Sequence, residues 1–143
     1  MLVQRLFAKR HALLAQVITL IRVEAWLAVL LVIVLSVVPG NMRPHVLPNG
    51  NHEHLTAYFI TGILLGIGYS RAGQLLLSAV MLSVCAGALE IAQIWIPERT
   101  ASLENFFSST FGAWTALSLI ALICCGRSVR MHYKRTSLSC RDS

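Results

Sequence analysis

From Gly73 to Ile96 the chain carries a single charged side chain, Glu90. An uncharged stretch of that length is enough for a helix to cross a bilayer, and longer than a small soluble core needs. Two further stretches repeat the pattern: Val23 to Val38 holds only Glu24, and Leu103 to Cys125 holds only Glu104. Hydrophobic residues make up 56% of the 143 and charged residues 13%, about half the charged share of a soluble domain. The chain therefore reads as an all-α polytopic membrane protein with four transmembrane helices, preceded by a short N-terminal amphipathic helix.

The punctuation gives the boundaries. Residues 1–22 place Leu2, Leu6, Leu13, Val17 and Ile21 along part of a helical stripe, with Arg5, Lys9, Arg10 and Arg22 around it. This segment is expected to lie on the membrane surface. A basic start before an apolar run also fits a signal peptide, but no small-x-small site follows Val38, so an uncleaved anchor is expected. The membrane domain spans 23–125, and a basic tail occupies 126–143. Its first helix, Val23 to Val38, ends at Pro39-Gly40. A loop with Pro44, Pro48 and Asn49-Gly50 leads to a second helix from His54 to Tyr69. The third, Gly73 to Ile96, stops at Pro97, and the fourth starts near Leu103 with Ser102 as N-cap. The first two helices, at about 24 Å each, are short for a typical core.

Charge placement orients the bundle. With four spans, residues 1–22, the loop at Arg71 and the tail share a side and carry ten Lys and Arg, whereas the other side has only Arg43 and Arg99. Ten against two puts both termini in the cytoplasm. The same placement, beside hydrophobic blocks and without interleaved aromatics, argues against nucleic acid as the partner of a +6 chain and for anionic headgroups. The four cysteines have no metal or redox spacing: Cys85 reads as a small apolar residue, Cys124 and Cys125 close the last apolar block, and Cys140 lies in the tail.

Four-span topology gathers the polar residues of the membrane part at the outer face. His54, Tyr58, Gly62 and Gly66 share one face of the second helix. Ala79, Ser83, Gly87 and Glu90, with Gln93 further out, share one of the third. Asn105, Ser109, Gly112 and Ala116 share one of the fourth. Small residues at these spacings let helices approach closely in lipid. The expectation is one buried polar pocket holding His54, Tyr58, Glu90, Gln93, Arg99, Glu104, Asn105 and Ser109, roofed by the loop from Pro97 to Ser102. Glu90 is the sharpest candidate, because a carboxylate in an apolar helix costs roughly 2.5–3.5 kcal/mol on insertion scales and needs a partner or a task. Glu90 and His54 are the acid–base candidates. Arg99 suits an anionic headgroup or phosphate, or pairs with Glu98, Glu104 or Glu90. The His52-Glu53-His54 run, with His45 upstream, has no further ligand set by spacing, so neither a metal nor a cofactor is expected. Trp26 and Trp95 read as interfacial anchors, and Trp114, deeper, as packing.

His54-x-x-x-Tyr58, Glu90-x-x-Gln93, Pro97-Glu98-Arg99 and the stretch from Glu104 through Gly112 together resemble the VanZ-like family over about residues 51–122. The resemblance implies a small bacterial multi-helix membrane protein. The family's namesake is associated with low-level resistance to teicoplanin, and its members occur in varied cell-envelope contexts. Two positions depart from the pattern: the acidic residue opening the last helix is matched by Glu104 or replaced by Asn105, and the usual Asn one turn on is Ser109. Three functions follow as expectations. The first is binding of a lipid-linked or anionic envelope component in the outer pocket, with membrane lipids around it. The second is a membrane enzyme acting on such a component through Glu90 and His54. The third is a structural subunit with a membrane-protein partner. No nucleophile beside a base and no phosphate-cradling loop supports the enzyme.

Overall fold

The structure is a computed structural model that describes residues 2–39, 42 and 50–139, with the side chains of 2, 3, 6 and 131–139 outside the description. Among the described residues the fold is all-helical: α1 Leu2–Val37, α2 Gly50–Gly68, α3 Ala72–Gln93 and α4 Leu103–Ser139. Three of these, over Phe7–Val37, Ala72–Gln93 and Leu103–Arg130, are long and apolar enough to cross a membrane. The exception is α2, whose opening Gly50-Asn51-His52-Glu53-His54 is polar. The turn expected at Asn49-Gly50 and the residues Arg43, Pro44, His45, Pro48 and Cys140 involve positions outside the description.

Two boundaries differ from the sequence reading. The N-terminal segment is no separate amphipathic helix, because α1 runs without a break for 36 residues, about 54 Å. No Gly or Pro interrupts residues 2–37, so nothing stops the backbone ladder at Arg22. Likewise α4, 37 residues in all, continues through Gly126 into the tail. The tail from Arg127 to Arg130 is exposed helix, since one glycine lowers helix propensity by only about 1 kcal/mol. At the other end, α3 closes at Gln93, and residues 94–98 form turns held by N–H bonds from Ile94, Trp95 and Ile96 to the carbonyls of Ile91, Ala92 and Gln93. This is the expected stop ahead of Pro97, a few residues early.

The bundle is organised around α2. It packs most extensively on α4 and also on α1 and α3; α3 packs on α4, and α1 meets α2 and α3 but not α4 among the described residues. Exposed positions on α2 accordingly reduce, past Gly50, to the line His52, Thr56, Ile60 and Ile67. Close approach explains the tight α2–α4 contact. A Cβ on Gly112 would overlap the Leu55 carbonyl oxygen, one on Gly62 would sit 2.9 Å from Ala116 Cβ, and one on Gly66 2.9 Å from Ile120. The small-residue stripes on α2 and α4 therefore face each other, a pairing their spacing did not by itself specify. On α3 the buried line is Leu75, Ala79, Leu82, Ala86, Glu90 and Gln93, displaced from the Ser83–Gly87 line, which lies half-buried at its edge.

The far end of the α1–α2 pair is clamped by polar groups. Arg22 Nε donates to the Gly68 carbonyl at 2.9 Å, its guanidinium lies 4.9 Å from the Tyr69 ring centre, and Trp26 Nε1 donates to the Tyr69 hydroxyl at 3.1 Å. Trp26 thus combines an anchor's exposure with a helix-to-helix bond. Trp114 is 43% exposed, not core packing; it lies across α3, with Nε1 donating to Ser83 Oγ at 3.0 Å.

Candidate functional site

The turn from Ile94 to Ser102 holds the polar end of the bundle together. Ser102 caps α4 as the sequence suggests, its Oγ accepting the Glu104 N–H at 3.2 Å. The backbone N–H of Ser102 donates to Glu90 Oε2 at 2.8 Å. This bond pins the start of α4 to the last turns of α3. Asn105 lies within hydrogen-bonding reach of the same carboxylate, and the Arg99 charge acts on it. Glu90 is 9% exposed, so it is buried as expected, with a backbone amide as a partner that sequence could not name.

Gln93 and Arg99 serve a different element, the C-terminus of α1. A helix end leaves several carbonyls without intrahelical donors. Gln93 Nε2 donates to Ser36 O at 3.1 Å, Arg99 Nε to Val38 O at 3.0 Å, and Arg99 Nη2 to Leu35 O. Gln93 is 1% exposed. The side chains of the α3–α4 turn therefore cap α1 from outside, a role not foreseen for either residue. Arg99 is aimed by the turn itself, where Glu98 has φ 58°, a left-handed conformation that redirects the chain just before it.

The single pocket expected from topology is divided in two. His54, Tyr58 and Arg99, with Glu53, Thr61 and Ser36, line a cleft of about 190 Å³ between α1 and α2. Its remaining walls are apolar, including Ala28, Leu31, Val32, Leu35, Ala57 and Ile60. Glu90 and Ser102 instead line a second cleft between α3 and α4, of about 320 Å³. The space between is filled: Tyr58, Gln93, Thr61 and Ser109 are among the largest fully buried side chains. Ser109 is therefore interior, as expected, but lines neither cleft. Glu104 is at the rim, exposed, its Oε2 accepting from Asn51 Nδ2 at 3.0 Å.

Several members of the site had no signal strong enough to single them out. Ser36 follows an apolar run and Thr61 lies one turn beyond Tyr58; each reads alone as an ordinary membrane-helix polar residue. Cys85 interacts with the Tyr58 hydroxyl as a hydrogen-bonding partner, beyond the small apolar role expected of it. A scan against known family models found no match to this chain, and searches of curated proteins and of solved structures found none either.

Proposed function

We propose that this protein is a VanZ-like, four-span protein of the bacterial inner membrane whose α1–α2 cleft binds the headgroup of a lipid-linked or anionic envelope component. The observation that carries the reading is the polarity gradient of that cleft. Glu53, His54 and Arg99 stand at the end near Val38, Ala57 and Tyr58 follow one turn on, and Ala28, Leu31, Val32 and Ile60 continue along the helices. A molecule with an anionic head and an apolar chain matches both parts, since ligand sites are largely apolar with a few placed polar groups. In this reading α2 completes the span behind its polar first turn, and the ten-to-two distribution of Lys and Arg places both termini in the cytoplasm.

Two observations bear on the alternatives. His54 and Glu90 line different clefts, which gives an acid–base pair no common position for a substrate and favours binding over catalysis. Glu90, Gln93 and Arg99 also tie the turn, α4 and α1 together, which supports an architectural role for the polar residues beside the binding role of the cleft.

The test uses the full chain in mild detergent with dodecyl phosphate as probe. Saturable binding should weaken about tenfold or more in His54→Ala and in Ala57→Leu, which remove a polar group and fill the apolar wall respectively. Binding that is absent, or equal in both variants and the parent, would overturn the reading. A deletion strain tested for envelope lipid composition and glycopeptide sensitivity, complemented by parent or variants, connects the cleft to the cell.

A further inference from the structure

The second cleft, unlike the first, has no cationic side chain among its described lining residues. Gly87, Glu90, Ile91, Ile94, Ser102 and Phe106 contribute to its walls, and Glu90 is the one ionisable residue among its described lining. Ile91 and Ile94 are 58% and 64% exposed, so the cleft opens sideways along the apolar surface of α3 and α4. The Glu90 carboxylate accepts the Ser102 N–H and lies within reach of the Asn105 side chain, both neutral donors, while Arg99, whose charge also acts on it, lines the other cleft. Gly87 lies on the floor beside Phe106: a Cβ there would meet the ring at 3.5 Å, an ordinary contact, so only a side chain longer than a methyl would fill the space. A carboxylate at the end of a poorly hydrated, apolar-walled space attracts a cation far more strongly than it would in water. Hydrogen bonds from an ammonium to a carboxylate are also roughly twice as strong as neutral ones.

We infer that the α3–α4 cleft binds the ammonium group of an amphiphilic amine, whose alkyl chain follows the apolar walls and whose head meets Glu90. The site is distinct from the α1–α2 cleft and stands or falls independently of it. The ligand chemistry is a primary ammonium on an apolar chain, supplied either by an aminolipid headgroup or by a free long-chain amine.

The full chain in mild detergent is titrated with dodecylamine and with dodecanol, its uncharged counterpart. Dodecylamine should bind saturably and about tenfold or more tighter than dodecanol. Glu90→Gln should remove that preference while keeping its thermal midpoint, because the glutamine carbonyl can still accept the Ser102 N–H. Gly87→Leu, which fills the floor and leaves the carboxylate in place, should weaken the amine by a similar factor. Equal binding of amine and alcohol, or an undiminished preference in Glu90→Gln, would overturn the proposal and leave Glu90 as a structural tie. Nanodiscs distinguish the sources. If phosphatidylethanolamine raises the thermal midpoint above phosphatidylcholine in the parent but not in Glu90→Gln, the ligand is the lipid. A response confined to dodecylamine assigns a free amine, and a response to neither contradicts the site.

Discussion

Arg99 Nε lies 3.0 Å from the carbonyl oxygen of Val38, joining the α3–α4 turn to the end of α1 across 61 residues of sequence. A second donor of the same guanidinium reaches Leu35 O. Arginine presents its donors as a rigid fork, whereas lysine offers a compact point charge. Arg99→Lys should therefore lose one of the two caps and Arg99→Ala both. Hydrogen bonds to charged groups contribute roughly 1.5–3 kcal/mol each when buried, and less here because the site is partly exposed. Thermal unfolding in detergent should rank parent above Lys above Ala; a Lys variant as stable as the parent would refute the fork geometry.

The α2–α4 contact makes a prediction of opposite sign at two glycines of one helix. Gly112→Ala puts a methyl into the Leu55 carbonyl, a backbone atom that cannot rotate away. Overpacking of this kind typically costs about 1–3 kcal/mol. Gly126 has nothing within 4 Å of its notional Cβ, so Gly126→Ala should instead gain up to about 1 kcal/mol of helix propensity. Melting temperatures that move in the same direction for both would contradict the packing.

Glu98 adopts φ 58°, a conformation that costs an L-residue roughly 1–2 kcal/mol and glycine little. Replacing it with Gly should leave the melting temperature unchanged or raise it. Glu98→Val, β-branched at the same angle, should lower it. If Gly and Val behave alike, the turn carries no such strain.

Removing the Glu90 carboxylate altogether separates architecture from charge. Glu90→Leu leaves the Ser102 N–H without its side-chain acceptor, and an unsatisfied buried donor costs roughly 1–3 kcal/mol. Membrane abundance should fall for Leu and hold for Gln, which can still accept. Equal abundance of all three would mean that water reaches Ser102.

Reporter fusions test the proposed orientation. Fusions after residues 47 and 99 should score external and those at both ends internal, as the charge asymmetry requires. An external C-terminus would remove the four-span arrangement and the passage of α2 through the membrane with it.

What the sequence by itself determined is what depends on local composition and period. Long uncharged blocks imply membrane-length helices because an apolar solvent demands that backbone groups be satisfied within each helix. Glycine and alanine at spacings of four on α2 and α4 marked faces fit for close approach, and Ser102 announced the start of α4. These are properties of a few neighbouring residues. The missed boundaries at Arg22 and Cys125 have the complementary cause: the composition changes there, but no residue breaks the hydrogen-bond ladder, so the helix continues.

Only the tertiary structure decided which polar groups meet. Side-chain periodicity places Glu90, Gln93 and Arg99 at one end of the bundle but gives no information about partners 12, 57 or 61 residues away. Those partners are backbone atoms of Ser102, Ser36 and Val38, which carry no identity a sequence pattern can display. The split into two clefts is equally nonlocal. It arises because glycines let α2 and α4 close on each other, so that Tyr58, Thr61 and Ser109 fill the centre and the remaining space is driven to either side.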